Sequence, residues 1–266
     1  MTELYFTQNA YEKAGDILLK GWEAPQVIAW HLPEDDNTVT HVYFAQGTVQ
    51  DTKGVAWEIT GSPTIAPASG NMYAYLTGTS DTSYIRTTAV SGDAGDYDTS
   101  AGECFSVYAL VRQGVTNTGA PGKSIVSDYY AASGSEGSKG WFHLEFTGDT
   151  RMFSSGQAFI LSSTLLRTQG LMYLHMFGIS GSTTLSGSSI YYQLNTAFTA
   201  TTGLSAWPPA LDQPLVIGTR PDSTGTAYTG EIHEVMITRT VPSSASFAAV
   251  YTAVSTSLAA RGIALG

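Results

Sequence analysis

Apolar residues recur along this chain in short runs of strand length rather than at helical spacing. The clearest are 41–45 (HVYFA), 104–112 (CFSVYALVR), 141–146 (WFHLEF), 171–177 (LMYLHMF) and 189–195 (SIYYQLN). Runs of this length, rich in β-branched and aromatic residues and bounded by Gly, Ser, Thr and Asn, predict strands. Further strands are predicted at 27–32 (VIAWHL), on the other side of the polar turn 33–37, and at 124–130 and 215–218. From residue 230 to 237 the pattern alternates, with Ile232, Val235 and Ile237 apolar and Glu231, His233 and Glu234 polar, but one residue near Glu234 is out of step. A slip of one in a period of two predicts a β-bulge.

Beyond Pro242 the period changes. Phe247, Val250, Tyr251, Val254 and Leu258 fall at i, i+3, i+4, i+7 and i+11, which lines one face of a helix over residues 244–261. Ser243 or Ser244 offers the N-cap oxygen, and Gly262 supplies a left-handed stop. A second, short helix is expected over residues 9–20, with Ala10, Ala14, Ile17 and Leu18 on one face. The expected fold class is all-β: an antiparallel two-sheet jelly-roll sandwich, residues 27–266, with one C-terminal amphipathic helix lying on the outside of a sheet. Residues 1–26 precede it as an arm.

Composition narrows the function classes. At 266 residues one β domain is of ordinary size, and the formal net charge of −10 disfavours nucleic-acid phosphates and anionic lipid as partners. Cys104 is the only cysteine, so no intramolecular disulfide forms, and its apolar neighbours place it as a core thiol in a buried strand. The first residues lack the basic start and apolar core of a secretion signal, and no run reaches transmembrane length. Folding in a cytoplasm is the expectation, with no membrane partner.

Two stretches carry a family resemblance. Leu215-Val216-Ile217-Gly218, a Gly-rich loop, and then Tyr228-Thr229-Gly230-Glu231-Ile232-His233-Glu234-Val235-Met236-Ile237 resemble the last two strands of the laminin-G-like branch of the concanavalin A-like jelly rolls. That family reads F-x-G-x-I-D-E-V-x-I-Y-x-R-x-L-S here; His233 stands in place of its Asp, and residues 238–243 depart from its ending. Residues 73–85 (YAYLTGTSDTSYI) are similar to the family's A-x-x-F-x-G-x-x-D-x-x-x-V edge, and residues 104–112 to a later strand, in the right order. The resemblance implies a fold. Laminin-G-like folds of this kind also occur in bacteriophage virions, as head decorations and as tail or fibre adhesion domains.

The chemistry implied is slight. Glucanases of the superfamily carry an E-x-D-x-x-E series on one strand, and none is present. The closest pair, Glu231 and Glu234, is three apart, which puts the two carboxylates on opposite faces unless a bulge intervenes, and their plain reading is solvated strand-edge charge. His31, His41, His143, His175 and His233 show no metal-ligand spacing. No enzyme activity and no cofactor are expected, calcium being the one ion considered, at residues 93–98 (DAGDYD) or at Asp35-Asp36.

Two readings of function follow. The first is a structural module of a phage-like virion, a capsid decoration localised to the particle. It would dock on a protein lattice such as a major capsid protein, or on a second copy of itself, through the apolar arm residues Leu4, Tyr5, Phe6 and Trp22. The second is an adhesin domain that binds a surface glycan through loops, with Trp207, Asp222 and Tyr228 as the ligand-binding candidates.

Overall fold

The computed structural model describes residues 32–45, 47–69, 72–88, 104–114, 123–127, 130–131, 138–139, 141–146, 149–154, 157–162, 168–180, 189–202, 214–220 and 225–266. The arm with Leu4, Tyr5, Phe6 and Trp22, the expected helix 9–20, the calcium candidate at 93–98, and Trp207 and Asp222 lie outside these residues.

Two antiparallel sheets form a sandwich. The first runs β16 (Ala197–Thr202), β15 (Ser189–Leu194), β14 (Met172–Ser180), β7 (Phe105–Arg112), β18 (Glu231–Thr238), β1 (Thr38–Ala45), β2 (Thr48–Asp51). β5 (Tyr75–Thr77) joins it beside β18, and β4 (Thr64–Ala66) pairs with β5. The second runs β13 (Gln157–Ser162), β12 (Asp149–Ser154), β11 (Trp141–Phe146), β8 (Lys123–Ser127), β17 (Val216–Ile217), β6 (Tyr84–Thr87), β3 (Trp57–Thr60). β9 (Tyr130–Ala131) and β10 (Ser138–Lys139) make a small separate ladder.

β7 and β18 are central strands covered on both faces, so their burial runs almost unbroken from end to end, and the polar residues that β18 carries are buried with the apolar ones. Val107, Ala109 and Val111 of β7, with Ile232, Val235 and Ile237 of β18, face the second sheet, where Ile85, Ile125 and Ile217 meet them. Tyr108, Leu110 and Met236 point the other way, against the helix.

That helix, α1 (Ser244–Ala259), is N-capped by Ser243, whose Oγ accepts from Ser246 N–H at 3.0 Å while Ser246 Oγ accepts from Ser243 N–H at 2.9 Å. This capping box satisfies two backbone donors reciprocally. Gly262, at φ 73°, ends it in the left-handed conformation. Phe247, Val254 and Leu258 are fully buried on the sheet, whereas Val250 and Tyr251 are half-buried at the margin. A fully enclosed side chain of this kind stabilises by about 1.5–3 kcal/mol relative to leaving it in water. Cys104 departs from expectation: it precedes β7 and is half-buried, because the strand and its continuous burial begin one residue later at Phe105.

Candidate functional site

The bulge expected near Glu234 lies where β18 changes partners. On one side β18 pairs with β7 throughout, but on the other it pairs with β5 at Ile232 and with β1 from Glu234 onward. In the ladder with β7, Glu231 lies opposite Arg112, Ile232 opposite Val111 and Glu234 opposite Leu110, so His233 is an unmatched extra residue. Arg112 and Leu110 share the outer, helix-bearing face of the sheet, and so therefore do Glu231 and Glu234. Solvated strand-edge charge is thus the wrong description of these carboxylates, since each is tied into a polar cluster beside the bulge.

The inner cluster is a chain of charges. Glu234 is only 3% exposed, and its Oε2 accepts from the Leu32 N–H at 2.9 Å and lies 3.3 Å from His41 Nε2. His41 has no exposed surface, and its Nδ1 lies 2.8 Å from Glu34 Oε1, whose other oxygen reaches Lys53 Nζ at 3.1 Å. Burial favours the neutral imidazole, but the bonds and charges of Glu234 and Glu34 outweigh it and raise the His41 pKa. Burial likewise opposes charge on Glu34, yet Thr52, His41 and Lys53 together lower its pKa. A histidine with both nitrogens held by carboxylates has no lone pair to offer a substrate. The cluster instead fastens residues 32–34 to the sheet.

Asp35 completes that fastening. Its carboxylate accepts from Asn37 N–H and Thr38 Oγ1, and across the sheet from the hydroxyls of Thr238 and Thr240. With its oxygens committed to four donors, Asp35 is a strand-end clamp rather than a calcium ligand. Among the described residues no group of three His, Cys, Asp or Glu is placed to hold a metal ion.

The outer cluster is half-exposed. Glu231 Oε2 lies 3.2 Å from His233 Nε2 and 3.5 Å from Arg112 Nε, and Arg112 Nη2 donates to Met72 Sδ at 2.9 Å. Burial lowers the His233 pKa despite Glu231 and Glu234, so the neutral ring donates its Nε2–H to Glu231 and leaves Nδ1 buried without a partner. For Glu231 burial acts upward, but His233 and Arg112 hold its carboxyl below the usual range. Tyr75 lies against His233 with ring centroids 5.3 Å apart. Nearby, the Arg261 guanidinium sits 3.5 Å over the Tyr73 ring. The start of β18 is held against β7 by backbone: a Cβ at Gly230 would lie 2.2 Å from the Arg112 carbonyl oxygen.

Tyr228 is corrected from a groove-lining aromatic to a core residue. It is 2% exposed, and its hydroxyl donates to the Arg112 carbonyl at 3.3 Å, so its ring offers no face to a ligand. The alternation in 228–232 already aims Tyr228 with Ile232, toward the interior. Its loop is anchored at one rim, where Asp81 accepts from the N–H groups of Gly225 and Thr226 at 2.7 and 3.2 Å and Lys123 Nζ donates to Gly225 O at 2.6 Å. Sequence reasoning missed Arg112, Tyr75 and His41. Their signal was present, as charged or polar positions inside otherwise apolar strands, but naming their partners requires the pairing register.

No family model matches the chain, and no curated protein matches it in sequence. Solved structures do. The binding domain of botulinum neurotoxin DC in complex with SialylT aligns with 82% of this chain and 52% of its own, at 12% identity and a TM-score of 0.58. The binding domain of Paraclostridial Mosquitocidal Protein 1 aligns with 84% of this chain and 53% of its own, at 11% identity and a TM-score of 0.61. The receptor binding domain of botulinum neurotoxin D aligns with 82% and 52%, at 13% identity and a TM-score of 0.58. The chain thus spans about half the length of each domain it matches, and at these identities the likeness establishes a shared all-β sandwich.

Proposed function

We propose that this chain is a non-catalytic binding module that recognises a carbohydrate. The observation that carries the reading is the likeness of fold: proteins that share this sandwich over four-fifths of the chain are binding domains, one of them in complex with SialylT. Of the two readings drawn from the sequence, this supports the glycan-binding domain over capsid decoration, since none of the neighbours named above is a virion protein.

The site chemistry agrees with binding rather than glycoside hydrolysis. A hydrolytic pair needs one carboxyl kept protonated as general acid by a raised pKa. Glu231 is pushed the opposite way, and Glu234 is buried and committed to His41 and the Leu32 N–H. The test is a glycan array probed with the full chain. Saturable binding to one sugar class is expected; a chain that binds no glycan at any concentration up to the millimolar range refutes the reading.

A further inference from the structure

We propose that Arg112, Glu231 and Tyr75, on the outer face of the first sheet beside the bulge, form a subsite for a neutral sugar bearing adjacent hydroxyls; this rests on the reading of the chain as a carbohydrate-binding module. The three side chains have unspent hydrogen-bonding capacity. Among the described residues Glu231 uses one carboxylate oxygen, Arg112 donates only to Met72 and faces Glu231, and the Tyr75 hydroxyl makes no hydrogen bond. All three side chains are half-exposed, and His233, which touches both Glu231 and Tyr75, sets them side by side.

The subsite is also preorganised. His233 is 2% exposed and carries a buried ring nitrogen with no partner, which is costly to keep in a strand that accommodates aliphatic residues on either side. What the ring accomplishes is to hold Glu231 from below while Met72 and Glu231 hold Arg112. A carboxylate held by a buried histidine, and a guanidinium held by that carboxylate and a thioether, lose little freedom when a ligand arrives.

The charge balance of the three side chains selects the ligand. Glu231 repels an anion and Arg112 a cation, so the pair as a unit is close to neutral, and the formal net charge of −10 further disfavours acidic glycans. A fixed acceptor beside a fixed donor suits two neighbouring hydroxyls, each of which both gives and takes a hydrogen bond. Tyr75 adds a ring against which the apolar C–H face of a sugar can stack. No step of bond making or breaking is involved.

The test is calorimetric titration of the full chain with neutral oligosaccharides of glucose, galactose, mannose and N-acetylglucosamine, and with sialyllactose. Tyr75→Ala, Tyr75→Phe and Glu231→Gln are compared with Arg86→Gln, a control in the half-exposed Arg86–Glu58 pair of the other sheet. Expected are saturable binding of a neutral sugar, about tenfold or greater loss of affinity in Tyr75→Ala and Glu231→Gln, a smaller loss in Tyr75→Phe, and none in the control. Unchanged unfolding midpoints separate these losses from misfolding, and Tyr75→Phe serves if Tyr75→Ala does not fold. Neutral binding unaltered by all three variants overturns the subsite and leaves the module reading standing. Binding of sialyllactose alone overturns the neutral preference, and binding of nothing overturns both readings.

Discussion

Glu231 and Glu234, three residues apart on one strand, lie on the same face of the sheet because His233 is inserted between them as an extra residue. The insertion also separates their fates. Glu234 turns inward to a buried histidine and a backbone N–H, while Glu231 stays at the surface against Arg112.

The entry to this strand has no room for a methyl group. A Cβ on Gly230 would meet the Arg112 carbonyl oxygen at 2.2 Å and the Gly114 nitrogen at 2.7 Å, both backbone atoms. Gly230→Ala is therefore expected to cost about 1–3 kcal/mol, as overpacking does. Urea unfolding measures it, and an unchanged midpoint would contradict the close approach.

His233 in the bulge and His41 on the neighbouring strand respond to pH in opposite senses. His41 has a raised pKa in the folded protein, so its contribution is complete below about 6.5 and is lost as pH rises through the folded value. His233 has a lowered one, so its contribution is complete above about 6.5 and is lost as pH falls toward the folded value. From these two groups stability peaks near pH 6.5. His41→Gln should flatten the alkaline side of the profile and His233→Gln the acid side, read from denaturant unfolding at a series of pH values. Profiles that keep both slopes in both variants would place the titrations elsewhere.

On the helix, the sequence pattern treats Phe247 and Tyr251 alike, but they differ in burial. Phe247 has no exposed surface and meets Tyr108 edge-on at 5.8 Å between centroids, whereas Tyr251 is half-buried. Phe247→Ala should cost about 3–5 kcal/mol and Tyr251→Ala clearly less. Equal losses in thermal or urea unfolding would mean that Tyr251 is covered as fully as Phe247.

Ser243→Ala should cost about 1 kcal/mol, because it strips the N-cap acceptor from Ser246 N–H. Ser246→Ala tests the reciprocal half of the box through the Ser243 N–H. Indifference of the unfolding midpoint to both changes would show that the first turn is held by packing alone.

Much of the fold was legible because it follows from periodicity. The strands at 41–45, 104–112 and 189–195, the bulge and the C-terminal helix all come from local spacing, and each is found within three residues of where spacing puts it. What was not legible depends on register. Arg112 faces Glu231 only because β7 and β18 pair with one residue unmatched, and His41 meets Glu234 only because β1 lies on the other flank of β18. β16 escaped because AFTATT alternates weakly and is an edge strand in which Ala197 is half-buried and Phe198 and Ala200 are exposed. Tyr228 was misread because a Gly-rich neighbourhood suggests an exposed loop, while the strand parity that buries its ring begins there.

β18 is the last strand in the chain, yet it sits between β7 and β1 in the middle of the first sheet. During synthesis β1 and β7 emerge with a vacancy between them that only residues 231–238 can fill. The Asp35 clamp, too, must wait for Thr238 and Thr240, more than two hundred residues later. Closing so long a loop precedes any return from the contacts it brings, so assembly of the first sheet is slow and awaits residues 231–238. Until β18 is in place the facing edges of β1 and β7 have no partner, and unpaired edges of this kind are open to pairing with one another or with neighbouring chains.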